Sequence, residues 1–213
     1  MNTYLFDFDG TLVDSMPNFA SCMLRILDEN GIAYGDDIVK VITPLGLYGT
    51  AMHFISMGIQ KTPEEIVLIM KEYLLDAYLH HIPAKPFVED TLRLLKARGD
   101  SLNVLTASPH ANLDPCLKRL GLWELFDNVW SCEDFATSKA DPDIYRRAAR
   151  KLGRPVGEVL FLDDNLNADM TAKAAGMKVC GVFDESSRDY VEEMKAATDA
   201  YIYDFSELPG LKV

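Results

Sequence analysis

The chain has 213 residues, 48% hydrophobic and 25% charged, which is too apolar for disorder and enough to bury a sizeable core in one large domain or two small ones. Its formal charge of −12 repels polyphosphate, so no nucleic acid and no anionic membrane is expected as a partner. The longest apolar runs, such as Ile66–Met70, fall far short of bilayer length, and the opening MNTYLFDFDG puts carboxylates where a signal peptide needs apolar residues, so a cytoplasmic protein is expected.

Tyr4–Phe8 is a short apolar run that ends in carboxylates, and it predicts the first strand. From about Met16 to Tyr78 only helical patterns follow. Met16, Phe19, Met23, Ile26 and Leu27 form one stripe, and a second helix opens with Thr62, Pro63 and Glu65, a capping box ahead of Ile66, Ile69, Met70 and Tyr73. The edges of this insert, near Asp14–Pro17 and His81–Pro86, carry prolines and few apolar anchors, as linkers do. Strand-like runs then return at Leu102–Leu105, Val159–Leu162, Lys178–Phe183 and Ala200–Tyr203. Between most of them lie amphipathic helices, Val88–Arg98, Asn112–Leu120, Pro142–Leu152 and Ala168–Ala175, each followed by a glycine suited to a helix C-terminus. Alternation of this kind predicts an α/β fold with a parallel sheet covered on both faces, interrupted by an all-helical insert. Cys22, Cys116, Cys132 and Cys180 are scattered without metal-ligand spacing and are expected to be reduced core residues.

The chemistry-bearing residues gather at predicted strand ends. Asp7 and Asp9 are two apart, so both side chains point the same way from the end of the first strand, and Gly10-Thr11 permits a sharp turn. Two carboxylates held together imply a divalent metal, an acid/base pair or, more plainly, a capped strand-to-helix turn. Thr106-Ala107-Ser108 offers a hydroxyl and backbone N–H groups suited to phosphate oxygens. Lys139 precedes a predicted helix and could supply positive charge, and Asp163-Asp164 adds a second carboxylate pair. Three or four carboxylates converging at strand ends make an all-oxygen site that suits Mg2+ rather than zinc.

In order and interval, Phe6-Asp7-Phe8-Asp9-Gly10-Thr11-Leu12-Val13-Asp14-Ser15, Thr106, Lys139 and Asp163-Asp164 resemble the four motifs of the haloacid dehalogenase-like hydrolase superfamily, over Tyr4 to about Phe183. Asp14-Ser15-Met16-Pro17 and Lys139-Ala140-Asp141-Pro142 resemble its phosphoglycolate phosphatase and β-phosphoglucomutase group. The resemblance implies a Rossmann-like three-layer α/β/α core from residues 1–14 and 84–213, with residues 15–83 as a helical cap of the C1 type that closes over substrate and sets specificity. It implies that Asp7 is the nucleophile and Asp9 the general acid and base. It implies further that Thr106 and the N–H of Ala107 hold the phosphoryl oxygens while Lys139 neutralises charge. Mg2+ would be the cofactor, bound by Asp7, the backbone carbonyl of Asp9 and Asp164, with Asp163 a ligand or one shell out. An acid at position 9 points to phosphate rather than halide chemistry, because an alkoxide needs a proton to leave. The expected function is hydrolysis of a small phosphorylated metabolite, with no obligatory protein partner. A sugar phosphomutase is the nearest alternative, and a non-catalytic phosphate-binding protein is a further one. Two positions depart from the pattern: Asn165 stands where Ser is frequent, and Ala168 where Asp or Asn is common, with Asp169 one residue later. His110 is either a substrate contact or an idle loop histidine.

Overall fold

The computed structural model describes residues 2–211. The chain divides into two compact units, Met1–Asp14 with Pro83–Val213, and Ser15–Ile82. Among the described residues no helix is long and apolar enough to cross a membrane, and the four cysteines are free, three of them buried.

Ser15–Ile82 is wholly helical, with α1 (Met16–Glu29), the short α2 (Ile38–Ile42), α3 (Gly46–Ser56) and α4 (Pro63–His80). The stripe on α1 buries Met23, Ile26 and Leu27, and the Phe19 ring meets Tyr78 of α4 edge-on at 6.2 Å. At the start of α4 the Thr62 hydroxyl accepts from the Glu65 N–H at 3.2 Å, and the Glu65 carboxylate accepts from the Thr62 N–H at 2.7 Å. Such a cap is worth about 1 kcal/mol, and it fixes where the helix that buries Ile66, Met70 and Leu74 begins.

The other unit is built on six parallel strands, β1 (Thr3–Phe6), β2 (Ser101–Thr106), β3 (Asn128–Ser131), β4 (Val159–Asp163), β5 (Lys178–Val182) and β6 (Ala200–Ile202), in the order β3-β2-β1-β4-β5-β6. Its helices are α5 (Val88–Ala97), α6 (His110–Arg119), α7 (Pro142–Lys151), α8 (Leu166–Ala175) and α9 (Val191–Ala197). Alternation along each strand sends side chains to opposite faces. Leu5, Leu105 and Phe161 join Ile144 and Tyr145 of α7 and Ala172 of α8 in one core. On the other face Phe6 packs its ring against Phe126 and Phe205. Both faces are therefore covered, as an all-parallel sheet requires, and the fold is a Rossmann-like α/β sandwich.

Two local details differ from the expectation. The first strand ends at Phe6 rather than Phe8, because the Phe8 carbonyl accepts from the N–H groups of Leu12 and Val13 at 2.9 and 3.0 Å and draws the chain into a turn; the Asp7 N–H still donates to Leu162 at 2.8 Å. The edge strand β3 was not anticipated, since Asn128-Val129-Trp130-Ser131 is four residues long with two β-formers.

Candidate active site

In this strand order the chain turns from building leftward, β1 to β2 to β3, to building rightward from β4. The crevice at such a reversal, beyond the carboxyl ends of the strands, is where open α/β sheets bind ligands. Here β1 and β4 are paired neighbours; Asp7–Asp9 follow the end of β1, Asp163 closes β4 and Asp164 follows it.

Asp7, Asp163 and Asp164 converge: one carboxylate oxygen from each lies within 4.8 Å of the others. All three are buried, at 5%, 0% and 7% exposure. Lys139 reaches the cluster from the segment before α7, with its ammonium 2.5 Å from Asp7 Oδ1 and 2.7 Å from Asp163 Oδ2. That segment is held in turn. Asp141 caps α7 by accepting from the Asp143 N–H, and the buried Tyr145 hydroxyl is 3.2 Å from the carbonyls of Lys139 and Ala168. Asn165, the first departure, caps α8 by accepting from the N–H groups of Asn167 and Ala168, which a serine could also do.

The two carboxylates of the first motif have different partners. Asp7 faces Lys139 and the second carboxylate pair, while Asp9, partly exposed, accepts a short hydrogen bond from the Ser108 hydroxyl. Ser108 also donates its N–H to Thr106 Oγ1 at 3.1 Å, so the segment after β2 is folded onto the loop after β1. Thr106 is buried at the end of β2 and Ala107 is exposed. Asp163 has both oxygens engaged, one by Lys139 and one by the Asn165 N–H at 2.8 Å. Thr11 donates to Asp164 Oδ1 at 2.9 Å.

The electrostatics of the cluster are those of an unbalanced acidic site. Burial pushes the Asp163 carboxyl up to about 7 against the pull of Lys139. Burial, then Asp163, Asp7 and Asp184, holds Asp164 well above the usual carboxylate range. Burial would lower the Lys139 ammonium, but Asp163 and Asp7 overcome it and hold that group well above the ordinary lysine value. One ammonium against three carboxylates leaves negative charge that a hard divalent cation would neutralise, and an all-oxygen donor set suits Mg2+. The residues present therefore fit such an ion.

Asp169 does not join the cluster; it lies on α8, 1% exposed, with neither oxygen hydrogen-bonded. His110 opens α6 with Nδ1 2.7 Å from Asp114 and Nε2 2.9 Å from Asp134, so both ring nitrogens already face carboxylates. Lys85 was not singled out by the sequence. Its ammonium lies beside the Gly10 turn, bonded mainly to backbone carbonyls, which leave no mark in a sequence.

The chain is similar to known proteins over nearly its whole length. The phosphoglycolate phosphatase of Salmonella typhi is 30% identical over 228 residues, 95% of this chain and 89% of its own. A solved structure from Thermotoga maritima, provisionally a β-phosphoglucomutase, has a TM-score of 0.85 at 22% identity and covers 99% of this chain and 97% of its own. CbbY from Rhodobacter sphaeroides, solved with xylulose-1,5-bisphosphate, has a TM-score of 0.78 at 24% identity over 100% of both chains. Residues 4–182 match the haloacid dehalogenase-like hydrolase family, a span that takes in Asp7, Thr106, Lys139 and Asp163–Asp164. The chain belongs to the haloacid dehalogenase-like hydrolases.

Proposed function

We propose that the chain is a Mg2+-dependent phosphatase of small phosphomonoesters that works through an aspartyl-phosphate on Asp7, with Ser15–Ile82 as its cap domain. The observation that carries this reading is the burial of Asp7, Asp163 and Asp164 around the single ammonium of Lys139, with Asp9 accepting a hydrogen bond from Ser108. A phosphatase in the relative from Salmonella typhi supports the same class of substrate.

Asp7, the backbone carbonyl of Asp9 and Asp164 would hold the ion, and Asp163 would orient Lys139. When bound, Mg2+ supplies charge neutralisation for the transferring phosphoryl group. In the first step an Asp7 oxygen bonds to phosphorus while the ester P–O bond breaks, and Asp9 gives its proton to the departing alkoxide. In the second step Asp9 takes a proton from water, whose oxygen bonds to phosphorus. The Asp7–phosphorus bond breaks, releasing phosphate and restoring both carboxyl groups. Lys139, the Thr106 hydroxyl and the Ala107 N–H stabilise the phosphoryl oxygens in both steps.

The test is phosphate release from a panel of phosphorylated metabolites and an aryl phosphate, with Mg2+ or EDTA, for wild type and Asp7→Asn. Release that requires both Mg2+ and Asp7 is the expected outcome. Release from Asp7→Asn at the wild-type rate refutes the mechanism, and transfer of the phosphoryl group within a sugar phosphate, without free phosphate, makes the enzyme a mutase.

A further inference from the structure

Lys85 lies on the segment that follows Ile82, where the chain re-enters the α/β unit. Its backbone is paired with the segment after the Gly10 turn: the Lys85 N–H donates to Leu12 and the Asp14 N–H to Pro83, each at 3.0 Å. Its ammonium donates to the Gly10 carbonyl at 2.6 Å, the Phe183 carbonyl at 2.6 Å and Asp184 Oδ2 at 2.9 Å. Three acceptors match the three protons of an ammonium, a set that no neutral side chain supplies. The lysine side chain is 14% exposed and that of Asp184 4%, so these bonds are shielded from solvent.

The acceptors belong to the exits of β1 and β5, and β4 lies between those two strands. Lys85 thus spans the end of β4, where Asp163 and Asp164 emerge. Gly10 is packed hard onto one of them: a Cβ there would fall 2.4 Å from Asp164 Oδ2. The next residue, Thr11, donates to Asp164 Oδ1. The Gly10-Thr11 turn therefore determines where the Asp164 carboxylate stands, and Lys85 pins that turn.

We infer that Lys85 is a positioning residue for the Asp164 carboxylate and sets the affinity of the site for its divalent cation. The inference rests on the metal-dependent reading above and adds a residue to it. Charge and position predict opposite signs. Removing an ammonium from an acidic site strengthens cation binding by Coulomb's law, whereas loosening a ligand's outer support typically weakens it about 10–100-fold.

The experiment measures Mn2+ binding from the electron paramagnetic resonance of the free ion, for wild type, Lys85→Met and the double variant Lys85→Met/Asp184→Asn. The double variant removes both members of the Lys85–Asp184 pair, so neither charge is stranded, and serves if the single variant does not fold. Mg2+-dependent hydrolysis of p-nitrophenyl phosphate is followed alongside. The expected result is Mn2+ affinity at least about tenfold weaker in both variants, with turnover largely recovered at saturating Mg2+. Mn2+ affinity equal to or tighter than wild type in either folded variant overturns the inference and leaves the functional reading standing. A wild type that binds no Mn2+ overturns both.

Discussion

Replacing Asp169 by asparagine tests whether a buried acid outside the Asp7–Asp163–Asp164 cluster is kept neutral by the fold. Burial, reinforced by Asp163 and Asp164, pushes its carboxyl from 3.8 to about 9. Neither oxygen has a hydrogen bond, and the side chain faces the backbone of β5, where a Cβ on Gly181 would lie 3.4 Å from Oδ2. A raised folded-state value means that the folded chain retains a proton which the unfolded chain releases. Stability is then complete below the unfolded value and falls as pH rises toward the folded one. The slope is about 1.4 kcal/mol per pH unit, which accumulates to the order of 4 kcal/mol by pH 7. The asparagine does not titrate, so Asp169→Asn should match wild type near pH 4 and exceed it increasingly toward pH 8. Urea unfolding in EDTA at pH 5, 6, 7 and 8 measures the difference directly. Parallel stability curves for the two proteins across that range would refute the reasoning.

Gly10→Ala should lose more than an order of magnitude of Mg2+-dependent turnover and about 1–2 kcal/mol of stability, because φ is +75° and the new methyl would meet Asp164; wild-type kinetics and melting would contradict the packing described. The two carboxylates beside His110 raise its value above 6.5, through the hydrogen bonds to Asp114 and then Asp134, so its ion pairs stabilise below pH 6.5 and fade as pH rises through the folded value. His110→Gln should thus cost less than about 1 kcal/mol at pH 5.5 and nothing at pH 9, and an equal cost at both pH values in thermal melts would argue against the pairing. Phe87 holds φ +64° with its ring exposed, so Phe87→Gly should raise stability by about 0.5–1 kcal/mol, and a lower melting temperature would show that the ring contributes more than its backbone costs.

Much of the fold was legible because its signals are local. The glycine after α8 and the Thr62–Glu65 box depend on residues within one turn, and period-two or period-three patterns mark which face is buried. The strand ends were legible as chemistry because carboxylates are rare there without a reason. What escaped depends on partners far along the chain. Asp9 accepts from the hydroxyl of Ser108, 99 residues away, a partner outside any local pattern. Lys85 acts on carbonyl groups that every residue type provides, so no spacing announces it. β3 is held by its register against β2 from Asn103↔Asn128 onward, and four residues with one β-branched side chain carry too little pattern to show that pairing in advance.

The bonds from Asp14 to Pro83 and from Lys85 to Leu12 have an evolutionary reading. They place the exit and the re-entry of the chain side by side, so Ser15–Ile82 forms a detour whose two ends already touch. A segment of almost any length can be spliced in at such a doorway without altering the path of a single sheet strand. The machinery that breaks the phosphate bond and the inserted module can therefore mutate, and be exchanged, on separate schedules.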